Sequence, residues 1–167
     1  MCGIVGFIDK NNVREKNKIL KDMAAKIYHR GPNSSGFYSD KEVGLGFRRL
    51  SIIDLEGGTQ PIFNENKDKV IIFNGEIYNF QELRKDLEKK GHKFTTKSDT
   101  ETIIHGYEEY GDKIVNKLRG MFAFVIWDIK NQKLSINSEE KPCQTTTRIR
   151  TLHHCRTDSA PLRMMRQ

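Results

Sequence analysis

The fold of this chain is decided largely by one stretch of sequence, Val70-Ile71-Ile72-Phe73-Asn74-Gly75-Glu76-Ile77-Tyr78-Asn79. Its first four residues are apolar and mostly β-branched, which predicts a buried strand. An isolated Asn74-Gly75 pair after such a strand is best interpreted as a tight turn. Asn79 is placed to cap a following helix, and Glu82 stands where a capping box would need it. The stretch therefore predicts a strand, a turn and a helix in succession.

The flanking segments continue this mixture of strands and helices. Asp99 can cap a second helix after the stretch, and residues 15–28 have the spacing of an amphipathic helix. Further strands are predicted at 3–8, 37–38, 43–48, 121–129 and 134–136. Strands with several intervening helices indicate a layered α+β fold.

Composition excludes several classes of protein. Hydrophobic residues make up 36% of the chain and charged residues 31%, as in soluble globular proteins. No apolar run approaches the roughly 20 residues of a membrane span. The N-terminus has no basic lead before its apolar residues, so no signal peptide is predicted and we expect a cytoplasmic protein without a membrane partner.

The net charge of +7 and the pI of 9.3 raise nucleic-acid binding as a function. Residues 135–167 hold six Lys/Arg and three Asp/Glu, a balance of +3, and this segment has no aromatic residue to stack on bases. We therefore expect no nucleic-acid partner. Three cysteines, Cys2, Cys143 and Cys155, are an odd number without regular spacing and do not indicate a disulfide framework.

Cys2 becomes the N-terminal residue if Met1 is removed. Its α-amine, with an ordinary pKa of roughly 7.7–8.0, would then lie beside a thiol of pKa about 8.5. One residue would supply both nucleophile and base, directly or through a water molecule. A cysteine at position 2 is weak evidence by itself, because most such residues have no catalytic role.

The motifs around Cys2 strengthen this interpretation. Residues 2–6, Cys-Gly-Ile-Val-Gly, resemble the start of the class II glutamine amidotransferases. Six further motifs follow in order at residues 29–36, 49–55, 60–61, 74–79, 98–102 and 120–124. Together, over about residues 2–134, they resemble the glutaminase domain of the asparagine synthetase family.

This resemblance implies a four-layer α/β/β/α sandwich of the N-terminal-nucleophile hydrolase type. It implies a partial type 2 glutamine amidotransferase domain at residues 1–136. Residues 137–167 carry none of the family's motifs, no aromatic residue and no strand or helix period. We predict that this tail is disordered, or is out-of-frame or foreign sequence, and that the sandwich is incomplete.

The resemblance also implies a site. Cys2 would attack the side-chain amide of L-glutamine, and the Asn74 side chain with the Gly75 N–H would form the oxyanion hole. This role replaces the turn interpretation of Asn74-Gly75. Arg49 would hold the substrate carboxylate, although a solvated charge like Arg48 is the alternative.

Two acidic residues, Glu76 and Asp99, would hold the substrate's ammonium group, although Asp99 has a competing role as a helix N-cap. The backbone around Leu50 and Ile52 would line the pocket. By analogy, Arg30 would orient the N-terminus and His29 would be structural.

No metal or cofactor is expected in this domain. His153, His154 and Cys155 do not have the number or spacing of a metal site. ATP and Mg²⁺ would belong to a synthetase domain that this sequence lacks, so we expect the chain not to make asparagine by itself.

The predicted function is hydrolysis of glutamine to glutamate and ammonia. In the whole family enzyme, the ammonia passes to ATP-activated aspartate. The alternative is a catalytically inactive remnant, or a subunit that binds a separate synthetase chain. The sequence does not determine the oligomeric state.

Overall fold

The computed structural model describes residues 2–9, 15–50, 59–138 and, for the backbone alone, 145–148. The strands are, in chain order, β1 Gly3–Ile8, β2 Ser34–Ser39, β3 Val43–Arg49, β4 Ile62–Phe63, β5 Lys69–Ile77, β6 Gly120–Asp128, β7 Lys133–Ser138 and β8 Thr145–Arg148. The helices are α1 Lys16–Lys26, α2 Phe80–Lys89 and α3 Asp99–Tyr110, with 3₁₀ segments at Tyr28–Arg30 and Gly111–Lys117.

The strands form two antiparallel sheets. The smaller sheet has the order β1-β3-β2, and the larger has the order β4-β5-β6-β7-β8. Strand β5 lies along β6 over its whole length, from Lys69 opposite Asp128 to Ile77 opposite Gly120. The central strand is β3 in the smaller sheet and β6 in the larger one.

Two apolar clusters hold the layers together. The first packs the larger sheet against α3 and the segment after it, and includes Phe73, Ile103, Ile104, Phe124 and Ile126. The second lies between the sheets and is built from Val43, Leu45, Phe47, Val70, Ile72, Trp127 and Leu134. Helix α1 packs on the outer side of the smaller sheet. The order is helix, sheet, sheet, helices, which confirms the predicted four-layer α/β/β/α sandwich.

The strand β5 alternates between these two clusters. Val70 and Ile72 face the smaller sheet, whereas Ile71 and Phe73 face α3. This is why the run reads as continuously apolar in the sequence: both of its faces are buried. Each fully buried side chain of this size contributes about 1.5–3 kcal/mol to folding.

The sheets are also linked by a polar contact that involves Asp40, in the turn between β2 and β3. The Asp40 Oδ2 accepts hydrogen bonds from the Trp127 Nε1–H at 2.6 Å and from the Tyr38 hydroxyl at 2.8 Å. Its Oδ1 accepts from the backbone N–H groups of Glu42 and Val43. Since Trp127 belongs to β6, this carboxylate connects the smaller sheet to the larger one.

Two predicted helix caps are wrong. Asn79 precedes α2, but its side chain makes no capping hydrogen bond. It donates instead to the Lys117 oxygen and accepts from the Arg119 N–H, both at 2.9 Å, because the chain before β6 passes beside it. Helix α3 is capped by Ser98, whose Oγ accepts from the Thr100 N–H at 3.1 Å, and Asp99 is its first helical residue.

The C-terminal segment differs in one respect from the expectation. The backbone of residues 145–148 forms strand β8, which pairs with β7 from Ile136 opposite Thr145 to Lys133 opposite Arg148. No strand was predicted there, because the segment's sequence has no apolar alternation. Residues 139–144 and 149–167 lie outside the described part of the chain, so the proposed origin of this tail stays a prediction.

None of the helices in the described part of the chain has the length and apolar character needed to span a bilayer.

Candidate active site

Two of the candidate site residues, Arg49 and Asn74, face the space between the two sheets. In β3, Val43, Leu45 and Phe47 face the larger sheet, and strand alternation places Arg49 on this same face. By the same rule, Asn74 lies on the face of β5 that carries Val70 and Ile72. Two strands from different sheets thus direct their candidate residues toward one another.

Cys2 lies at the start of β1 and packs beside the cluster between the sheets. Its Sγ accepts a hydrogen bond from the Leu50 N–H at 3.4 Å and lies 3.9 Å from the Leu50 oxygen. The backbone of Leu50 therefore holds the sulfur at the end of β3.

Arg30 contacts the same residue from the other side. Its Nε and Nη2 both donate to the Cys2 carbonyl oxygen at 3.4 Å, which agrees with the expectation that Arg30 orients the N-terminus. His29 is exposed in the same 3₁₀ segment. The segment can approach because Gly31 lies against β3, where a Cβ would be 2.5 Å from the carbonyl of Arg48.

Asn74 and Gly75 are not a turn. Both belong to β5, opposite Ala123 and Phe122 of β6. Gly75 has a φ of +150°, and a Cβ on it would lie 2.1 Å from the Met121 oxygen. The position requires glycine because β5 and β6 approach too closely for any side chain.

The N–H of Gly75 lies on an edge of β5 that β4 leaves uncovered. On this edge, the Phe73 N–H donates to the Gln60 Oε1 at 2.6 Å, and the Ile77 N–H donates to the Asp99 Oδ2 at 3.0 Å. Strand alternation directs the Gly75 N–H to the same side, between these two. The geometry therefore aims a backbone donor away from the sheet beside the Asn74 side chain.

Arg48 and Arg49 are separated by the strand. Arg48 lies on the outer face of β3, with its guanidinium carbon 4.6 Å from the centre of the exposed Tyr28 ring. Arg49 takes the face toward the larger sheet and is partly buried. The two arginines are adjacent in sequence but occupy different environments.

Glu76 and Asp99 form an acidic pair. Asp99 is half-buried, and its pKa is raised by that burial and by the negative charge of Glu76 nearby, although the Ile77 N–H opposes the rise. Glu76 is exposed. Two carboxylates that repel each other form a site to which a cation would bind favourably.

One predicted pocket residue lies outside the described residues, and two structurally important residues were not predicted. Ile52 lies in the undescribed segment 51–58, so its predicted place in the pocket is not visible. Gln60 and Glu101 were not among the predicted site residues, although they lie in the motifs at residues 60–61 and 98–102. Gln60 joins the middle of β5 to Thr100 of α3.

Glu101 organises the loop before α3. Its buried carboxylate accepts four hydrogen bonds, from the N–H and hydroxyl groups of Thr95 and Thr96, at 2.6–2.9 Å. Burial alone would raise its pKa, but these hydrogen bonds lower the pKa below the usual value. In the sequence, the only available signal was the position of Glu101 within the motif at residues 98–102; its burial, which requires several donors, is seen only in the structure.

A profile of the glutamine amidotransferase domain family matches residues 1–141. The chain belongs to this family. The match includes the candidate nucleophile Cys2 and extends five residues beyond the predicted domain boundary at 136.

The relatives of this amidotransferase domain include glutamine-hydrolysing asparagine synthetases. The chain is 47% identical to asparagine synthetase 1 of Bacillus subtilis over 154 residues, which is 88% of this chain and 24% of the relative. It is 43% identical to asparagine synthetase 2 of Oryza sativa over 133 residues, which is 79% and 22% of the two chains. The domain thus spans about a quarter of the length of these relatives.

Among solved structures, the glutamine phosphoribosylpyrophosphate amidotransferase of B. subtilis is similar over 56% of this chain and 23% of its own. The identity is 23% and the TM-score is 0.45. At this level, the structural similarity supports no statement about function.

Proposed function

We propose that this amidotransferase domain hydrolyses L-glutamine to glutamate and ammonia, with Cys2 as the nucleophile. The observation that carries the proposal is the position of Cys2. Its sulfur lies against the Leu50 N–H, at the entrance to a space that Arg49, Asn74 and Glu76 face from two different sheets. Strand alternation directs side chains that could hold a free amino acid toward the space between the sheets, which Cys2 borders.

The binding step uses opposite charges. Glutamine carries an α-carboxylate and an α-ammonium group. Arg49 presents a planar guanidinium to the carboxylate, and the repelling pair Glu76 and Asp99 takes the ammonium. Burial is the main reason that the pKa of Asp99 is raised, and the charge of Glu76 adds to it; a bound cation offsets both effects, so the pair should bind an amino acid better than a molecule without an ammonium group.

The reaction proceeds in two halves. After removal of Met1, the α-amine of Cys2 accepts the thiol proton, and the sulfur attacks the side-chain carbonyl carbon of glutamine. Asn74 and the Gly75 N–H stabilise the resulting oxyanion, and the amine returns the proton as ammonia leaves. Water then attacks the γ-glutamyl thioester, and the products are glutamate and the free thiol. No metal or cofactor takes part in these steps.

The fate of the ammonia is a further part of the proposal. The similar asparagine synthetases are about four times longer than the matched region. We propose that the ammonia is delivered to a synthetase domain or chain that activates aspartate with ATP and Mg²⁺, and that this takes place in the cytoplasm.

The mechanism is tested by mass spectrometry and activity together. The active protein should lack Met1, and a glutamine-like electrophile should label Cys2 but not Cys143 or Cys155. Cys2→Ser should abolish ammonia release and labelling. A protein that keeps Met1 and is fully active would show that the α-amine of Cys2 is not the base.

The binding assignments have a matched pair of controls within β3. Arg49→Ala should raise KM for glutamine much more than Arg48→Ala, because only Arg49 faces the larger sheet. Asn74→Ala should lower kcat by about 10²–10³-fold with little effect on KM, as expected for a donor that acts on the oxyanion. An effect of Asn74→Ala on KM alone would contradict its oxyanion role.

A further inference from the structure

A second polar cluster lies outside the cysteine site. It consists of Glu65 in the turn between β4 and β5, His92 in the loop after α2, and His105 in the middle of α3. One nitrogen or oxygen atom from each of the three lies within 4.8 Å of those of the others. Three segments distant in sequence thus direct metal-ligating atoms to one point.

His105 has an unsatisfied nitrogen within this cluster. The side chain is 1% exposed, and its Nδ1 lies 3.0 Å from the Glu108 Oε2. Its Nε2 is buried without a hydrogen bond, and the Glu101 Oε1 is 3.7 Å away. A buried imidazole that gives one nitrogen to a carboxylate and leaves the other free has the arrangement of a metal ligand.

His92 repeats this arrangement from the other side. Its Nε2 lies 3.0 Å from the Glu109 Oε1, and its Nδ1, which is 3.8 Å from the Glu108 Oε2, is the nitrogen that can bind a metal. The two imidazole rings are 5.0 Å apart, centre to centre, and tilted by 42°. Each histidine therefore has its own carboxylate to fix the tautomer and orient the ring.

Glu65 completes the set at the surface. It is exposed, and its Oε1 accepts a hydrogen bond from the Lys93 N–H, which keeps it beside His92. The other carboxylate oxygen is the one that can turn toward the two histidines.

We propose that Glu65, His92 and His105 bind one divalent transition-metal ion, with Zn²⁺ as the best match. Two imidazoles and one carboxylate are a common ligand set for zinc, and they leave a fourth position for water. Mg²⁺ and Ca²⁺ prefer oxygen ligands throughout and fit this set poorly. This revises the expectation, made from the sequence, that the domain holds no metal.

The distances are compatible with binding after a small movement. Tetrahedral bonds of about 2.0–2.1 Å place ligand atoms about 3.4 Å apart. The ligand atoms, which now lie within 4.8 Å of one another, must therefore approach by up to about 1.4 Å. The surface side chain of Glu65 supplies this movement, while His105 stays fixed in the helix.

The function of the ion would be structural. It would join the β4–β5 turn and the loop after α2 to α3, which begins with Asp99. The site does not include the cysteine or any residue assigned to glutamine binding, so the proposal stands independently of the amidotransferase mechanism.

The test is Zn²⁺ binding to the full chain without an affinity tag, measured by competition with a chromophoric chelator. We expect the unmodified chain to bind one Zn²⁺. His92→Ala and Glu65→Gln should each bind Zn²⁺ at least about a hundredfold more weakly than the unmodified chain. His29→Gln, an exposed histidine outside the cluster, and a triple substitution of His153, His154 and Cys155 with alanine should bind as the unmodified chain does. These controls separate the cluster from other histidines and cysteines.

A second measurement does not depend on affinity. Zn²⁺ should raise Tm of the unmodified chain but not that of His92→Ala, because an ion that binds only the folded state stabilises it. Mg²⁺ should have no such effect. Glu108→Gln should weaken Zn²⁺ binding by about 10–100-fold without removing a ligand.

Failure to bind Zn²⁺, or equal binding by the unmodified chain, His92→Ala and Glu65→Gln, would overturn the proposal. The cluster would then be a network of imidazole–carboxylate contacts without an ion. Since His105 is fully buried and its replacement could prevent folding, the conclusion rests on the two ligands nearer the surface.

Discussion

Replacing Asp40 tests the polar contact between the two sheets. In Asp40→Asn, the amide oxygen can still accept from the N–H groups of Glu42 and Val43. The amide nitrogen would face the indole N–H of Trp127, which is 2.6 Å from the carboxylate and is a donor only. The Tyr38 hydroxyl can rotate to accept, so one donor, that of Trp127, is left unpaired.

The expected cost follows from this count. An unpaired buried donor costs about 1–3 kcal/mol, and loss of the charge weakens the remaining hydrogen bonds by about 1 kcal/mol in total. Asp40→Asn should therefore lower the free energy of unfolding by about 2–4 kcal/mol. In a Trp127→Phe background there is no indole donor, so the same substitution should cost only about 1 kcal/mol.

The assay is urea unfolding of the unmodified chain, the two single variants and the double variant. Circular dichroism follows the unfolding, because Trp127 is the only tryptophan and Trp127→Phe removes the fluorescence signal. Equal costs of Asp40→Asn with and without the indole would show that the contact between Asp40 and Trp127 does not stabilise the fold.

The same contact predicts a dependence on pH. Burial alone would raise the pKa of Asp40, but the hydrogen bonds from Val43, Glu42, Tyr38 and Trp127 lower it below its usual value. The ionised form is thus favoured more in the folded than in the unfolded chain. Its contribution to stability is complete above the pKa of an unfolded aspartate, about 3.9, and is lost as the pH falls through the lower folded value. Asp40→Asn should lose this part of the acid sensitivity.

Three further outcomes are expected. Gly75→Ala should lower the free energy of unfolding in urea by more than about 2 kcal/mol, because its Cβ would meet the Met121 oxygen. Gly91→Ala, at a φ of +100° but with open space around the Cβ, should cost less. Equal costs would mean that the close approach of β5 and β6 is unimportant. Gln60→Leu should cost about 1–3 kcal/mol because it leaves the Phe73 N–H unpaired, whereas Thr100→Val, which removes only a contact of 3.4 Å, should cost less in the same experiment. Burial raises the pKa of Asp99, so on acidification Asp99 should become protonated at a higher pH than an ordinary aspartate. If Asp99 binds the ammonium group, KM for glutamine should begin to increase at that higher pH. Steady-state kinetics of Asp99→Asn should lack this dependence.

Much of the layered fold follows from local sequence. The alternation of Val43, Leu45 and Phe47 indicates a strand with one buried face, and the continuous run 70–73 indicates a strand buried on both faces. These patterns predicted where β3 and β5 lie. The order of the motifs indicated the family, because several short sequence motifs in the same order are far more specific than any single residue.

Helix ends and the Asn74-Gly75 pair were harder to predict. Local propensity made Asn74-Gly75 a turn when considered alone and made Asn79 a cap. The structure extends β5 through Gly75 because β6 pairs with it, and it turns Asn79 toward Lys117 and Arg119. In both cases, a partner more than 30 residues away outweighed the local preference.

The sequence by itself determined the chemistry available to this chain: a cysteine at position 2, an Asn-Gly pair after a buried strand, an arginine at a strand end and acids that can bind an ammonium group. Only the tertiary structure decided which of these groups meet. It separated Arg48 from Arg49 across one strand, placed the Cys2 sulfur beside the Leu50 N–H, and brought Glu65, His92 and His105 together. The physical reason is that strand alternation and sheet packing fix which face each side chain occupies, while contacts between segments distant in sequence have no local signal.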